Sequence, residues 1–297
     1  VPNKNCNLVP TMLYTVVRTF ISDVSYGVSD FKPYGKLSER DYTSNHLFNT
    51  FTGFVHDYDE SFVIDHSKIK RFLDHLNEVW CRSDVKLFVA TVKHFASILQ
   101  RPNKKTQTCL VVLGLEGIGK NIITDIFRDF VIGLMYIAET SKMDKLVGRF
   151  NSIVENKILC MLNEASNVSQ KNTCENQEVL KDLITNTTNV IECKYMSAKT
   201  VSDHCNYICF SNNYYVIKSS TELRRFVFYE ASPHRLGDHA YFKALAEDFE
   251  LHDAGIHLYH YLMSIDVSDF NSQRDFPTTA IKESMKVAAI DSSVQWL

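Results

Sequence analysis

The segment Gly114-Leu-Glu-Gly-Ile-Gly-Lys-Asn121 has the residue types and spacing of a polyphosphate cradle. Glycines at 114, 117 and 119 allow a tight turn that points backbone N–H groups inward, and a following helix adds the positive end of its dipole. The Lys120 ammonium then places a point charge against the β- and γ-phosphates. All eight residues, Gly114, Leu115, Glu116, Gly117, Ile118, Gly119, Lys120 and Asn121, are therefore candidate ATP contacts. Asn121 stands where most such loops carry a Ser or Thr hydroxyl on Mg2+, and an amide oxygen also suits a hard cation. The bland alternative is an ordinary glycine-rich turn between strand and helix, which leaves the Gly-Lys ending unexplained.

A site that cleaves a triphosphate also needs a carboxylate to polarise water and a group to help position Mg2+. The run Lys157-Ile-Leu-Cys-Met-Leu162 ends in Asn163-Glu164, which makes Glu164 the candidate general base and Asn163 a second Mg2+ contact. An amide there replaces the Asp usual at that position. The apolar run Asn206–Ser211 ends in Asn212-Asn213; Asn212 is the candidate sensor of the γ-phosphate, and Asn213 reads equally as a turn residue. Arg224 and Arg225 precede another apolar run. Paired arginines are usually surface charges, but at a subunit interface one of the two can reach a neighbour's γ-phosphate.

These residues need a sheet to carry them. Strands are expected at 108–113, 157–162, 206–211 and 226–229, with helices near 121–138 and 176–185. That alternation predicts an α/β fold with a mainly parallel sheet. The 157–162 strand is expected next to the phosphate-loop strand, and the 206–211 strand between those two would aim Asn212 at the cleft. Upstream, Ile69, Phe72, Leu73, Leu76, Val79 and Trp80 fall at helical spacing, as do Val85, Phe88, Val89, Val92, Phe95, Ala96 and Leu99. Both stripes read as packed core. Arg101-Pro-Asn-Lys-Lys105 is a polar break and the expected boundary before the core. Four segments result: an irregular 1–66 with strand-like pieces such as Phe62-Val-Ile64, a helical, collar-like 67–106, an ATPase core 107–231, and a helical 232–297.

The chain has 297 residues, 45% of them hydrophobic, a formal charge of −3 and eight cysteines. It is globular in composition. The near-neutral balance argues against a domain that coats nucleic acid by bulk charge, so any such contact must be local. The scattered cysteines, without a Cys-x-x-Cys pair, read as reduced thiols of an intracellular, non-secreted protein. His204, Cys205 and Cys209 lack a partner pair for zinc, and His252, His257 and His260 read as surface or packing residues. The Met12–Ile21 stretch carries Arg18 and is too short to span a bilayer, so no membrane partner is expected. The missing initiator Met marks the chain as an expected fragment.

With the phosphate loop, Asn163-Glu164, Ser211-Asn-Asn213 and Arg224-Arg225 in that order, the chain resembles the superfamily 3 helicases. More narrowly, it resembles the poxvirus-type primase-helicases of large DNA viruses, phages and plasmids. Asn49-Thr-Phe-Thr-Gly-Phe54, Ile98-Leu-Gln-Arg-Pro102, Gly148-Arg-Phe-Asn151, Leu180-Lys-Asp-Leu-Ile-Thr185 and Pro277-Thr-Thr279 agree with that subfamily, so the likeness spans roughly 45–290. The resemblance implies an AAA+-like core, a hexameric ring, ATP and Mg2+ as cofactors, and translocation on single-stranded or forked DNA alongside replication proteins. It also implies a hairpin lysine lining the central channel, which maps to Lys194, with Lys199 the weaker match; either reads physically as a solvated hairpin lysine. A primase domain and a C-terminal winged helix, common in this family, are not expected within this chain, nor is priming. Two alternatives stay open: a packaging or remodelling ATPase on the same core, and an ATP-binding assembly subunit with weak turnover.

Overall fold

The computed structural model describes residues 28–36, 47–149, 151–163, 173–192, 195, 197–213, 223–285 and 287. At its centre lies a five-stranded, wholly parallel sheet: β3 (Cys109–Leu113), β4 (Ile137–Thr140), β5 (Leu159–Leu162), β8 (Asn206–Ser211) and β9 (Phe226–Glu230). Its order is β4-β5-β8-β3-β9, an AAA+-like α/β core. Two small pairs lie outside it: β1 (Val28–Asp30) with β2 (Leu47–Asn49), parallel, and the antiparallel hairpin β6 (Thr188–Ile191) with β7 (Lys199–Ser202).

Every side chain of β3, β5 and β8 is buried, as a parallel sheet covered on both faces requires. Alternation then sorts the strands' residues between two cores. Leu110, Val112, Leu159, Met161, Ile208, Phe210, Val227 and Tyr229 face the larger one, which also takes apolar side chains from the 67–106 and 232–297 segments. Cys109, Val111, Leu113, Cys160, Leu162, Cys209, Phe226 and Phe228 face the smaller one, which includes Leu180, Leu183 and Ile184.

The helices begin where short polar side chains can satisfy their first N–H groups. Asp65 caps α1 (His66–His75), Asp84 caps α2 (Val85–Gln100) and Asp238 caps α6 (His239–Glu250). α1 runs on as a π turn over Leu76–Trp80, closed by Cys81 N–H donating to Leu76 O. After β3 come α3 (Ile122–Ile126), with a π turn over Phe127–Ile132, then α4 (Asp144–Val147) and α5 (Thr173–Thr185). α7 (Ala254–Ser264) and α8 (Ser272–Asp275) complete the C-terminal segment.

Three sequence expectations are corrected. Phe62–Ile64 is not a strand; the strands of that segment are β1 and β2, which pair with each other. The helix expected over 121–138 ends at Ile132, because Gly133 takes φ +98° and the chain turns into β4 at Ile137. The 206–211 strand lies between the other two as expected, because β8 pairs with both, and the 157–162 strand is therefore not directly beside the phosphate-loop strand. His257 and His260 are buried packing residues, accepting backbone N–H bonds from Asp65 at 3.0 Å and Asp59 at 3.1 Å. No described helix is long and apolar enough to cross a membrane.

Candidate functional site

The C-terminal ends of β3, β5 and β8 open into a cleft of about 440 Å³ lined by Glu116, Gly117, Gly119–Ile122, Asn163 and Phe210–Asn212. That is a size and position suited to a small anionic ligand in an open α/β sheet. The loop from Gly114 to Asn121 forms its floor. Gly117 and Gly119 hold φ of +75° and +82°. A Cβ on Gly119 would also stand 2.5 Å from Phe242 and 2.8 Å from His75, so the backbone there is pressed against its support.

Lys120 is buried and donates from Nζ to Gly114 O at 2.7 Å and to Leu115 O. Burial holds its pKa below the usual lysine value, while Glu116 acts in the opposite sense. The loop is braced from behind by the first helical segment. The indole Nε1 of Trp80 donates to Lys120 O at 3.0 Å, and His75 Nε2 donates to Gly119 O at 3.0 Å. Two successive loop carbonyls are thereby held by side chains of that segment. Periodicity classes Trp80 with the core stripe and leaves His75 unmarked; the signal for Trp80 is that a buried indole must find an acceptor.

Asn121 and Asn163, each expected from sequence as a Mg2+ contact, meet: Asn121 Nδ2 donates to Asn163 Oδ1 at 3.0 Å. Asn163 Nδ2 in turn donates to Glu139 Oε1 at 2.5 Å, and Glu139 Oε2 accepts from Arg128 Nη1 at 3.1 Å. Neither Glu139 nor Arg128 was marked by the sequence, because the helix expected over 121–138 concealed β4. Asn212 reaches the same cleft and donates to Glu116 Oε1 at 3.0 Å. Asn213 donates its N–H to Ser211 Oγ at 2.9 Å, a local turn contact.

Glu164, the predicted base, and Lys194, the predicted channel lysine, lie outside the described residues. Between β6 and β7 the ring of Tyr195 is fully exposed. Lys199 sits on β7 with an ion pair to Glu155 at 2.5 Å. Arg224, exposed, and Arg225, half-buried, occupy a 3₁₀ turn immediately before β9. Phe226 pairs with Cys109 at the start of β3, so both arginines sit at the end of the sheet opposite the loop. Five residues of strand, roughly 16 Å, separate the two ends.

The site suits ATP and Mg2+ in its chemistry. The glycine conformations and a buried ammonium match a polyphosphate, and the donors near Asn121 are amide and carboxylate oxygens, which hard cations prefer. Among the described residues no group of three His, Cys, Asp or Glu side chains could hold a metal. That is compatible with Mg2+, which binds through few protein oxygens plus substrate phosphates. His204 Nδ1 donates to Asn103 O at 3.2 Å.

Residues 112–225 match a family of unknown function, DUF5906. No curated protein matches the chain. Among solved structures it is similar to the A form apo structure of the NrS-1 C terminal region, at 20% identity and a TM-score of 0.68 over 96% of this chain and 70% of that one. It is also similar to another apo structure of that region, at 19% identity and a TM-score of 0.67 over 95% of this chain and 66% of that one. At such identities the likeness is one of fold.

Proposed function

We propose that this chain is the helicase portion of a superfamily 3 type replicative protein, in which ATP hydrolysis at the subunit interfaces of a hexameric ring drives movement along single-stranded DNA and unwinding of duplex. The observation that carries the reading is the convergence of buried Lys120, Asn121, Asn163 and Asn212 on one cleft at the sheet's C-terminal edge. Phosphate oxygens would replace the Gly114 and Leu115 carbonyls as partners of Nζ, a charge-assisted exchange in a partly desolvated loop. Asn121 and Asn163 offer amide oxygens to Mg2+, which neutralises charge on the β- and γ-phosphates when bound. Glu164, directly after Asn163, takes the proton of the attacking water, and Asn212 senses the γ-phosphate. Arg224 or Arg225 serves a neighbouring subunit's ATP.

DNA would meet the tip of the β6–β7 hairpin, where Lys194 supplies charge and Tyr195 an open ring face. A few lysines gathered around a ring provide local positive charge despite a net −3 per chain. Forked DNA and replication proteins are the partners this reading implies.

Lys120→Ala is expected to abolish binding of a fluorescent ATP analogue, and with it DNA-stimulated hydrolysis and strand displacement. Unchanged affinity in that variant would refute the assignment of the loop. Hydrolysis stimulated by DNA without strand displacement would instead favour a packaging or remodelling motor. The amides at both cation positions favour one other reading, an ATP-binding assembly subunit with weak turnover. Steady-state hydrolysis equal to that of Glu164→Gln would establish it.

A further inference from the structure

The chain Asn121–Asn163–Glu139–Arg128 runs from the phosphate loop to the edge strand β4, and its polarity is fixed at one end. Glu139 is a carboxylate and can only accept. The atom of Asn163 that faces it at 2.5 Å must therefore be Nδ2; the reversed amide would set two oxygens against each other. Asn163 Oδ1 is then turned toward the loop, and Asn121 must present Nδ2 to it. The orientation of both amides follows from a side chain that does not itself line the cleft.

Glu139 is held in turn. Arg128, which Glu139 accepts from at 3.1 Å, also donates to Asp125 Oδ1 and to Asp129 Oδ1, each at 2.9 Å. The guanidinium thus anchors the carboxylate from the π turn after α3, the element that continues the phosphate loop.

We propose that Glu139 is the positioning residue of the cation site: it aims Asn163 Oδ1 at the Mg2+ accompanying the triphosphate and supplies, through the polarised amide, the negative charge that an asparagine lacks. The assignment rests on the phosphate-loop reading above. It follows the general design in which an outer carboxylate orients a ligand and raises its donor strength. Asn163 Oδ1 accepts from Asn121 Nδ2, so Asn121 would have to turn for that oxygen to hold a cation, while Glu139 keeps Asn163 in place.

The test is the Mg2+ dependence of binding of a fluorescent, non-hydrolysable ATP analogue, measured in EDTA and across a Mg2+ titration. Glu139→Gln preserves shape but removes both the charge and the fixed polarity. It is expected to bind the analogue in EDTA as the wild type does, and to need about tenfold more Mg2+ or above for half-maximal effect. Glu139→Gln combined with Asn163→Asp moves the charge to the neighbouring side chain and is expected to restore the wild-type midpoint. A Glu139→Gln midpoint equal to the wild type's would overturn the proposal, as would a double variant no better than Glu139→Gln. Failure of the wild type itself to bind the analogue would refute the loop reading instead, and this one with it.

Discussion

His75 works at the phosphate loop as a neutral imidazole. Its Nε2–H is committed to Gly119 O, and its Nδ1 is buried without a partner among the described residues. Burial lowers its pKa from 6.5 to about 4, and the neighbouring Arg235 acts in the same sense. His94, buried on α2, is lowered to about 3 by the same cause. A histidine whose folded pKa lies below its unfolded value stabilises the fold fully above pH 6.5 and loses that contribution as pH falls toward the folded value. We expect each of the two to cost about 2 kcal/mol of unfolding free energy between pH 7 and pH 5. Urea unfolding at the two pH values tests this; His75→Phe should show a visibly smaller acid loss than the wild type, and an unchanged loss would contradict the assignment. At this scale the sequence was informative where spacing is local. Lys120 and Asn121 are legible because eight residues suffice to define the loop, and Asn163 and Asn212 because each ends an apolar run. Glu139 and His75 act through partners 24 and 44 positions away, separations that no local pattern encodes.

Elements explain how such distant partners meet. At about 100° per residue an α-helix would set His75 and Trp80 about 140° apart. The π turn over Leu76–Trp80, bonding i to i+5, brings residues five apart close to one line, so both side chains reach adjacent loop carbonyls. The apolar stripe of α1 predicts a helix correctly, but the same stripe is compatible with either winding. β4 was missed for a related reason: Leu134 to Ala138 continues an apolar pattern, and only the glycine at 133 breaks it. Lys105, which reads as part of a polar, basic break, has a side chain only 2% exposed. Its Nζ pairs with Asp203 at 3.0 Å and donates to Asn186 O at 3.0 Å and to Leu183 O, tying the lead into β3 to the end of α5. Lys105→Met strands the Asp203 carboxylate and is expected to cost about 3–5 kcal/mol. Adding Asp203→Leu should recover much of the loss in a denaturant titration, and no recovery would show that the pair is not the source.

On the scale of the whole molecule, the sheet divides the apolar interior in two and sets the loop and the paired arginines at opposite ends of the same strands. The parallel α/β class was legible from the alternation of runs, and β8 lies between β3 and β5 as expected, whereas the direct adjacency expected of β5 and β3 does not occur. Apolar strands of equal length are interchangeable in pattern, and pairing depends on the crossover helices. If Arg224 or Arg225 acts on a neighbour, Arg224→Ala or Arg225→Ala should spare nucleotide binding and suppress turnover. Mixing variant with wild-type subunits should then depress hydrolysis more steeply than in proportion to the variant fraction. A strictly proportional decline would argue against action between subunits.

Any contact joining the arginine end of one copy to the loop end of the next uses two different surfaces, and is therefore heterologous rather than two-fold. Such an association leaves each added copy with the same unsatisfied pair of surfaces as the last. It is completed only by closure, and a small error in the angle between neighbours would yield an open spiral or a filament in its place.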